Sequence, residues 1–439
     1  MAKKYLIRTN ISPFDNPSYY EAIRKNIVRS NSGNLLFPYS IARTLMTDDN
    51  TEFIPVNTHN PFSDEEVDRI NNEYDAFLIP LANAFRVSFL KELLNITSLV
   101  KRLRIPCIVI GVGYQGGVSK DVSKGLAWRE TVVDFCRAIL DKSAMIGVRG
   151  RVTADYLDKL GFTEGRDYTV IGCPSMFLYG DRLPEPKPLK LNSDIRIHIN
   201  SKVDLPQKFH NYLVNVCKLI PDHYYLPQNQ YELCAMYLGL PLGMFRADLK
   251  EFPDGYPADP SSAIYTNNRV RGFINVPSWF NFLKEGDLNF GSRIHGNIAA
   301  VLAGIPAFIV APDSRVLELA DYHNIPHTTI DKLDNNISIF ELLSDVDFSR
   351  IMTGHAERFA AYQSFLEKND LKTVYSDSFK ASPDQVLPFD KRLGECSYNK
   401  PLVPYAHLHG SDKLSAVRYR NTFLAKRTIK KLLQPIIPV

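Results

Sequence analysis

The run Asp287-Leu-Asn-Phe-Gly-Ser-Arg-Ile-His-Gly-Asn-Ile-Ala-Ala-Val-Leu-Ala-Gly-Ile-Pro-Ala-Phe-Ile-Val310 carries the clearest structural signal in the chain. Its pattern predicts a buried strand, a turn at Gly291-Ser292, an amphipathic helix that ends at Gly304, and a second strand after Pro306. Ser292 fits the N-cap of that helix, and Gly304 fits the left-handed position after its last turn. A strand, a helix and a further strand in this order are typical of a parallel α/β sheet.

Two side chains in this run are not required by packing. Arg293 and His295 stand two residues apart at the turn, so an extended backbone there would put both on one face, with Ile294 turned inward. They would then lie beside the free backbone N–H groups of a helix N-terminus, which bind anions. The alternative is a solvated arginine and a histidine that only caps the helix. Both interpretations stay open on spacing alone.

The same alternation of strands and helices continues in both directions. It fills residues 1–180 and resumes over residues 193–345, while residues 181–192 carry three prolines and predict an extended linker. We therefore expect an α/β protein with two doubly wound, Rossmann-like domains facing each other across a cleft, followed by a helix and a basic tail over residues 346–439. The expected elements include strands at Ala263–Thr266 and Phe273–Val276 and one long helix at Phe348–Lys368.

Composition excludes several classes of protein. The 439 residues are 45% hydrophobic and 23% charged, which is ordinary globular usage rather than that of a disordered or fibrous chain. A net charge of +4 gives no argument for nucleic acid binding, and we expect none. Because the cysteines are isolated and no apolar stretch approaches about 20 residues, we expect a reduced, cytoplasmic protein. The histidines and cysteines lack metal-ligand spacing, so no metal site is expected.

The motif around Arg293 resembles the signature of the polysaccharide pyruvyl transferase family. The similarity includes Gly291-Ser-Arg-Ile-His-Gly-Asn-Ile-Ala-Ala-Val-Leu-Ala-Gly-Ile-Pro306 and Asp313-Ser-Arg-Val-Leu-Glu-Leu-Ala320. The further similar stretches are Asn31-Ser-Gly-Asn-Leu-Leu-Phe37, Asp75-Ala-Phe-Leu-Ile-Pro-Leu-Ala-Asn-Ala-Phe-Arg86 and Ile146-Gly-Val-Arg-Gly-Arg-Val-Thr-Ala-Asp-Tyr-Leu157. The resemblance runs from about residue 31 to residue 326 and does not include the chain after about residue 370.

This resemblance implies a fold like that of the two-domain, B-type glycosyltransferases, with the acceptor on the first domain and the donor on the second. It implies transfer of pyruvate from phosphoenolpyruvate to a pair of sugar hydroxyls as a ketal, during biosynthesis of a capsule, an exopolysaccharide or a cell-wall polymer. Phosphoenolpyruvate is then the donor substrate, and no cofactor is expected. In the family the Arg-x-His block contacts the donor, which assigns Arg293, Ile294 and His295 to donor binding.

One further assignment follows from the resemblance, and the others follow from positions at predicted strand ends and helix starts. Arg149 is the best match for a further donor-binding arginine at a strand end of the first half. Ser292 and Arg315 are added to the donor site, although Arg315 could instead pair with a neighbouring carboxylate at the surface. The acceptor candidates are Asn34, Asn83 and Gly113.

The chemistry of the donor suits these residue types. Arginine pairs bidentately with phosphate and with carboxylate, and phosphoenolpyruvate carries both groups. Histidine is the usual proton carrier near neutral pH, so we assign His295, together with Arg293, to catalysis as a hypothesis. One departure from the family pattern is Cys173-Pro-Ser, where many members carry Asp-Pro-Ala. No acid is therefore available at that position.

Other functions stay open. A nucleotide-sugar-dependent glycosyltransferase of the same fold would hold the ribose with a glutamate such as Glu318, often with a second glutamate eight residues away. Val310 and Pro326 occupy those positions. A non-catalytic sugar-binding relative is a further alternative.

A glycine run after the strand near residue 108 gives another alternative. Gly111, Gly113 and Gly116 match a dinucleotide fingerprint, but the segment after them resembles a loop, and the next strand ends in Arg149 rather than an acid. An NADP site would have to use Arg149 and Arg151 for the 2′-phosphate.

The C-terminal stretch from Lys413 to Lys431 contains seven basic residues and no acidic one. One interpretation is a solvated terminal helix. The other is attraction to an anionic membrane surface, which would place the protein at the inner face of the membrane and suit a lipid-linked acceptor.

Overall fold

The computed structural model describes residues 3–28, 30–115, 122–376, 379 and 386–433. The strands are β1 (Lys4–Arg8), β2 (Glu52–Val56), β3 (Ala76–Pro80), β4 (Cys107–Ile110), β5 (Ile146–Val148), β6 (Tyr168–Val170), β7 (Ile197–Asn200), β8 (His223–Tyr225), β9 (Leu288–Gly291), β10 (Ala307–Ala311) and β11 (His327–Thr329). The α-helices are α1 (Tyr19–Arg24), α2 (Leu36–Leu45), α3 (Asp64–Glu73), α4 (Leu90–Arg102), α5 (Arg129–Leu140), α6 (Arg151–Lys159), α7 (Gln207–Leu219), α8 (Gln230–Leu238), α9 (Ala263–Thr266), α10 (Val276–Leu283), α11 (Ile294–Leu302), α12 (Ser314–Tyr322), α13 (Ile339–Leu342), α14 (His355–Lys368), α15 (Pro388–Gly394) and α16 (Gly410–Leu433).

The strands form two parallel sheets of the same topology. The first has the order β2-β1-β3-β4, and the pair β5-β6 continues it, because the Gly111 and Arg149 amides donate to Gly147 and Val112 of the neighbouring strand (2.9 and 3.0 Å). The second has the order β11-β10-β9-β7-β8. Numbered from its own first strand, the second sheet runs 2-1-3-4-5, and the first sheet runs 2-1-3-4-5-6. The predicted pair of Rossmann-like domains is therefore confirmed.

This strand order determines where ligands can bind. In such sheets the strand order reverses between the first and third strands, which lie side by side. The crevice at the carboxyl ends of these two strands is the usual ligand site. Those ends are Arg8 and Pro80 in the first sheet, and Asn200 and Gly291 in the second. Arg293 and His295 come directly after β9, so the sequence motif lies at the crevice of the second sheet.

Contacts between the loops at these carboxyl ends join the two domains. Asn31 and Asn229 form an antiparallel bridge, and the Ser32 amide donates to the Gln228 carbonyl at 2.8 Å. The amide of Gln230 donates in turn to the Ser30 carbonyl at 3.1 Å. The loop before α2 is therefore held against the loop before α8.

Glu318 on α12 makes a second connection between the domains. Its carboxylate accepts a hydrogen bond from the Thr153 amide at 3.1 Å and so caps the N-terminus of α6 in the first domain. A Cβ on Gly150 would lie 2.3 Å from the Glu318 side chain, so only glycine leaves room for this carboxylate. The cap of one domain's helix is thus supplied by the other domain.

Three predicted elements are wrong in the second half of the chain. Ala263–Thr266 is the short helix α9 rather than a strand, because Ser262 has the extended N-cap conformation that starts a turn. Phe273–Val276 is not a strand, and Val276 already begins α10 after the N-cap Asn275. The predicted helix Phe348–Lys368 is divided into a 3-10 turn and α14, since Gly354 between them has φ 69°.

The C-terminal helix α16 uses its apolar residues against the rest of the protein. Phe423 stacks on Phe245 with ring centroids 5.1 Å apart, and Tyr419 meets Tyr20 edge-on at 5.5 Å. Arg427 donates to the Met244 carbonyl at 2.6 Å, so this basic residue is also engaged internally. Among the helices described, none combines the length and the apolar character that crossing a membrane demands. Contact of this helix with a membrane surface stays a prediction.

Buried histidines predict that the fold is sensitive to acid. Both ring nitrogens of His198 on β7 are buried without a hydrogen-bond partner in the described part of the chain, and burial lowers the pKa of His198 to about 3. The unfolded chain binds this proton near pH 6.5 but the folded chain does not, so stability is lost as pH falls from about 6.5 towards 3. We expect His198→Leu to reduce this pH dependence of the free energy of unfolding by up to about 1.4 kcal/mol per pH unit.

Urea denaturation at pH 7 and pH 5 measures this effect. His409→Leu, at an exposed position, is the matched control and should leave the pH dependence unchanged. An unaltered slope in the His198 variant would show that its imidazole is not the group that titrates.

Candidate active site

The site is built around the N-terminus of α11, where β9 ends. Gly291 has φ 155° and approaches the Asn200 carbonyl so closely that a Cβ would lie 2.0 Å from it. The Ser292 amide then donates to that carbonyl at 3.1 Å, and the Arg293 amide donates to Oδ1 of Asn200 at 2.7 Å. These bonds join the turn after β9 to the end of β7 and fix the backbone that carries the motif.

Ser292 is not the N-cap that the sequence predicted. Arg293 occupies the N-cap position with extended backbone angles (φ −87°, ψ 109°), and it is the side chain of Asn297 that donates to its carbonyl at 2.9 Å. The Ser292 hydroxyl is instead buried with no hydrogen-bond partner among the described residues. Its assignment to the donor stays a prediction that this unused hydroxyl favours.

Arg293 is buried and held by the second domain. Its Nε donates to the Ser201 carbonyl at 2.7 Å, and Nη2 lies 3.4 Å from Oε2 of Glu232. Glu232 is itself buried and accepts a hydrogen bond from the Tyr225 hydroxyl at 2.6 Å. The guanidinium is therefore rigidly positioned, with part of its charge compensated before any ligand binds.

His295 lies where the two domains meet. Its ring is 5.0 Å from that of Phe37 on α2, and a Cβ on Gly33 would approach its Nδ1 to 3.2 Å. Burial, with the positive charges of Arg149 and Arg315, holds the pKa of His295 well below its ordinary value. The imidazole is therefore neutral at neutral pH, and an anion between it and the arginines would favour its protonated form.

Cys173 contacts His295 at the position where the sequence departs from the family pattern. Its Sγ lies 3.8 Å from Nε2 of His295, and burial raises the pKa of the thiol. The Cys173 amide donates to Nε2 of His323 at 2.8 Å, which fixes the loop. A neutral thiol thus stands beside the imidazole, and no carboxylate at this position holds a proton on it.

Arg149 is fully buried, and most of its N–H donors are unused in the described part of the chain. Its side chain is 0% exposed, its Nε donates to the Gly111 carbonyl at 3.3 Å, and both Nη atoms are buried without a hydrogen-bond partner. Burial lowers its pKa to about 10. Four N–H donors of a buried guanidinium are costly to leave unused, which is the environment expected of an anion-binding group.

The approach of the Gly113 backbone makes room for this arginine. A Cβ at Gly113 would lie 2.5 Å from Cδ of Arg149 and 3.0 Å from the Ala82 carbonyl. Gly113 therefore lies against Arg149, a predicted donor-binding residue. Its own assignment to the acceptor stays a prediction.

Arg315 and Lys202 complete a cluster of positive charges. Arg315 opens α12, its Nη2 lies 3.4 Å from Asp313, and its Nε is buried with no partner among the described residues. Lys202, just after β7, has its Nζ 3.9 Å from the same aspartate, and burial lowers its pKa to about 8, with a further contribution from Arg315 and Arg293. Lys202 was missed from the sequence, because a lone lysine after a strand has no distinguishing pattern.

A cavity of about 260 Å³ lies at the crevice of the first sheet. Two of the predicted acceptor residues, Asn34 and Asn83, line it, and the Asn83 amide donates to the Gln115 side chain. Phe37 forms part of the wall, and its ring also contacts His295 and lies under the Arg149 guanidinium at 5.7 Å. Phe37 therefore connects the cavity with His295 and Arg149.

The geometry gives no support to a dinucleotide site. Gly111 has φ 78° and packs on Pro174, and the side chain of Arg151 is paired with Glu164 at 2.7 Å. Gly116, the last glycine of the fingerprint, lies outside the described residues. Among those described, no group of three or more histidine, cysteine or acidic side chains is arranged to hold a metal ion.

Comparisons with solved structures give distant matches. They include the glycotransferase of kitacinnamycin (14% identity, 84% of this chain and 98% of that chain, TM-score 0.37) and sucrose-phosphate synthase from Thermosynechococcus elongatus (13%, 84% and 97%, 0.43). Another is the UDP-GlcNAc 2-epimerase of Methanocaldococcus jannaschii (9%, 97% and 100%, 0.37). The fold assignment therefore rests on the two sheets themselves.

No protein of curated function matches the chain significantly. A model of the family described as polysaccharide pyruvyl transferase, however, matches residues 8–314. This span runs from Arg8, the last residue of β1, through β2 to β10, and it includes Arg149, Lys202, Arg293 and His295. It excludes α12 beyond its first residue and the whole C-terminal region. The match extends over more than half of the chain, and the chain belongs to the polysaccharide pyruvyl transferase family.

Proposed function

We propose that this protein transfers pyruvate from phosphoenolpyruvate to two hydroxyls of a sugar, forming a ketal during surface polysaccharide biosynthesis. The observation that carries the proposal is the buried guanidinium of Arg149, whose Nη atoms have no partner among the described residues. The positive charges of Arg149 and Arg315 affect each other and lower the pKa of His295. A small ligand with two anionic groups would satisfy these donors, and phosphoenolpyruvate carries a phosphate and a carboxylate. The sugar acceptor follows from the family.

The residues of the site have distinct roles in this reaction. Arg149, Arg315 and Lys202 bind the anionic groups of the donor, which also neutralises their effect on His295. The protonated imidazole then delivers its proton to the methylene carbon, and C2 becomes electron-deficient. A sugar hydroxyl bonds to C2, phosphate leaves with the electrons of its C2–O bond, and the second hydroxyl closes the ketal. Of the two hydroxyl protons, one balances the proton given to carbon and the other leaves with phosphate.

A nucleotide-sugar-dependent glycosyltransferase is the weaker alternative. That activity would need the carboxylate of Glu318 for a ribose, but this carboxylate already accepts the Thr153 amide as the cap of α6. A non-catalytic sugar-binding protein has no use for the unpartnered guanidinium of Arg149, which lowers the stability of the ligand-free fold. Neither alternative is favoured by an observation of its own.

The identity of the acceptor is a further part of the proposal. A lipid-linked saccharide at the inner face of the membrane would suit the basic helix α16, whose exposed residues include Arg418 and Lys426. Attraction of such residues to anionic lipid contributes about 1 kcal/mol each close to the surface. Binding of the protein to vesicles with and without anionic lipid separates this arrangement from a solvated helix.

Thermal unfolding with phosphoenolpyruvate, UDP, NADP or buffer alone tests the donor. A ligand at a hundred times its dissociation constant stabilises the folded state by about 2.7 kcal/mol. We expect this stabilisation with phosphoenolpyruvate only.

Lys202→Met should weaken donor binding by about 10- to 150-fold, since a hydrogen bond to a charged group contributes about 1.5–3 kcal/mol. Wild-type affinity should also fall above pH 8, where Lys202 loses its proton.

The matched control is Lys208→Met, which removes an exposed lysine bonded to the Asp331 carbonyl. This variant should bind phosphoenolpyruvate as the wild type does. Stabilisation by UDP or NADP instead of phosphoenolpyruvate would contradict the proposed donor.

A further inference from the structure

The cavity at the crevice of the first sheet contains a histidine that is oriented by a buried carboxylate. Nδ1 of His59 lies 2.8 Å from Oε2 of Glu92, and both residues line the cavity. In such a pair the carboxylate holds the ring in one orientation and one tautomer, with Nδ1–H donating, so that Nε2 acts as the proton acceptor. This arrangement is independent of Arg293 and His295 and was not evident from the sequence.

The carboxylate is itself firmly held. Oε1 of Glu92 accepts hydrogen bonds from Nη2 of Arg8 at 2.5 Å and from Oγ1 of Thr58 at 2.7 Å. Arg8 also donates from Nε to Thr58 at 3.0 Å and from Nη1 to the Pro80 carbonyl at 3.2 Å. Glu92 is therefore connected to the ends of β1 and β3, the two strands that form the crevice, and its charge is balanced by Arg8.

The backbone of His59 is fixed as well. Its amide donates to Oδ1 of Asn57 at 2.9 Å, and its carbonyl accepts from the side chain of Asn95 on α4 at 2.6 Å. The side chain is nevertheless 60% exposed, so a proton taken up by the ring can pass to water. A histidine with a fixed backbone, a fixed ring and access to solvent has the properties of a general base rather than of a packing residue.

We infer that His59 is the base that takes a proton from the acceptor sugar, and that Glu92 is its positioning residue. This inference rests on the proposed function. The O–H bond of a hydroxyl breaks as its oxygen bonds to C2 of the donor, and the proton goes to Nε2 of His59 and from there to water. His295 contacts Phe37, which also lines the cavity that contains His59, so the reaction uses one histidine for each substrate.

The size and walls of the cavity indicate the class of acceptor. A volume of about 260 Å³ lies just below the range of roughly 300–1,000 Å³ that is typical of sites for drug-sized ligands, which suits a single sugar unit. Asn34, Asn83 and Arg86 offer polar groups to hydroxyls, and Phe89 offers an apolar face. The acceptor is therefore a terminal monosaccharide unit whose hydroxyl pair enters the cavity.

Steady-state assays of phosphate release from phosphoenolpyruvate, with a panel of p-nitrophenyl hexopyranosides as acceptors, test the inference. We expect His59→Ala to reduce kcat by about 10²–10⁴-fold. Phosphoenolpyruvate should still stabilise this variant against thermal unfolding as it does the wild type, because the donor side is unaltered. Added imidazole should restore roughly tenfold or more of the lost rate, since the position is open to solvent, whereas a merely structural role would not respond to imidazole.

The control variant is His327→Ala, which removes a histidine paired with Asp321 at 3.2 Å at the amino end of β11, away from the crevices. Its rate should equal that of the wild type. Turnover of His59→Ala within a factor of about three of the wild type would overturn the inference while leaving the proposed function intact. Absence of glycoside-dependent phosphate release in the wild type would contradict the proposed function and this inference with it.

A binding measurement gives an independent result. The imidazole resonance of His59, followed by NMR during titration with the same glycosides in the wild-type protein, should shift when a hexopyranoside occupies the cavity. Resonances of His327 should stay in place. If no glycoside moves the His59 resonance, the cavity is not the acceptor site and the inference is wrong.

Discussion

Replacing Arg149 with methionine should make the ligand-free protein more stable and at the same time abolish its stabilisation by phosphoenolpyruvate. The guanidinium is fully buried, and its two Nη atoms have no partner in the described residues. Leaving a buried hydrogen-bond donor unsatisfied costs about 1–3 kcal/mol, and an apolar side chain of similar length removes that cost. The same change removes the donors that we assign to the anionic groups of the donor, so the ligand-dependent gain of about 2.7 kcal/mol at a hundred times the dissociation constant should disappear.

Urea denaturation with and without phosphoenolpyruvate measures both effects. Arg43→Met is the matched control, because this largely buried arginine is fully paired, with Asp390 at 2.7 and 2.9 Å and with the Leu178 carbonyl at 2.6 Å. It should be destabilised and should still respond to phosphoenolpyruvate. Destabilisation of the Arg149 variant would show that its guanidinium has protein partners, and a retained ligand response would remove Arg149 from the donor site.

Replacing His295 with glutamine should lower kcat by about 10²–10⁴-fold while leaving donor binding largely intact. Burial and two arginines hold the pKa of this imidazole well below its usual range in the ligand-free protein. A bound donor that neutralises Arg149 and Arg315 raises that pKa, so the wild type should take up a proton on binding phosphoenolpyruvate. The variant should bind without this uptake.

Calorimetric titrations in buffers of different ionisation enthalpy measure the number of protons taken up. The difference between wild type and variant isolates His295 from the phosphate of the donor, which titrates equally in both. His198→Leu is the control, since His198 is buried with a lowered pKa but lies on β7 beside Gly286 and Phe282. Equal proton uptake by wild type and the His295 variant would contradict the role of His295 as the acid.

Features that depend on local pattern could be predicted from the sequence. The strand, turn and helix from Asp287 to Val310 are indicated by apolar periodicity and by glycine positions, and the same pattern places Arg293 and His295 at a strand end. The repeated alternation of strands and helices predicts two parallel domains. Strand β2 (Glu52–Val56) was missed because Pro55 interrupts its apolar residues. A proline is tolerated in this strand because β2 lies at the edge of its sheet.

The rest of the site depends on which distant segments become neighbours. Lys202 belongs to the site because β7 pairs with β9, and this pairing cannot be inferred from the residues around Lys202. In the sequence Glu92 resembles a solvated residue of an amphipathic helix. In the structure it is buried beside Arg8 at the end of β1, and Arg8 also donates to Pro80 at the end of β3. From the sequence Glu318 is a candidate ribose ligand, whereas the arrangement of the domains makes it a helix cap.

The complete burial of Arg149 also has a kinetic consequence. An anion cannot reach a guanidinium with no exposed surface unless Phe37 or the Gly113 backbone first moves aside. Donor capture is then limited by the frequency of that opening rather than by diffusion, so its association rate constant is lower than that of an open site. When the residues that cover Arg149 return to their closed positions, they also keep water from the electron-deficient carbon. A slow entry step thus protects the donor from hydrolysis.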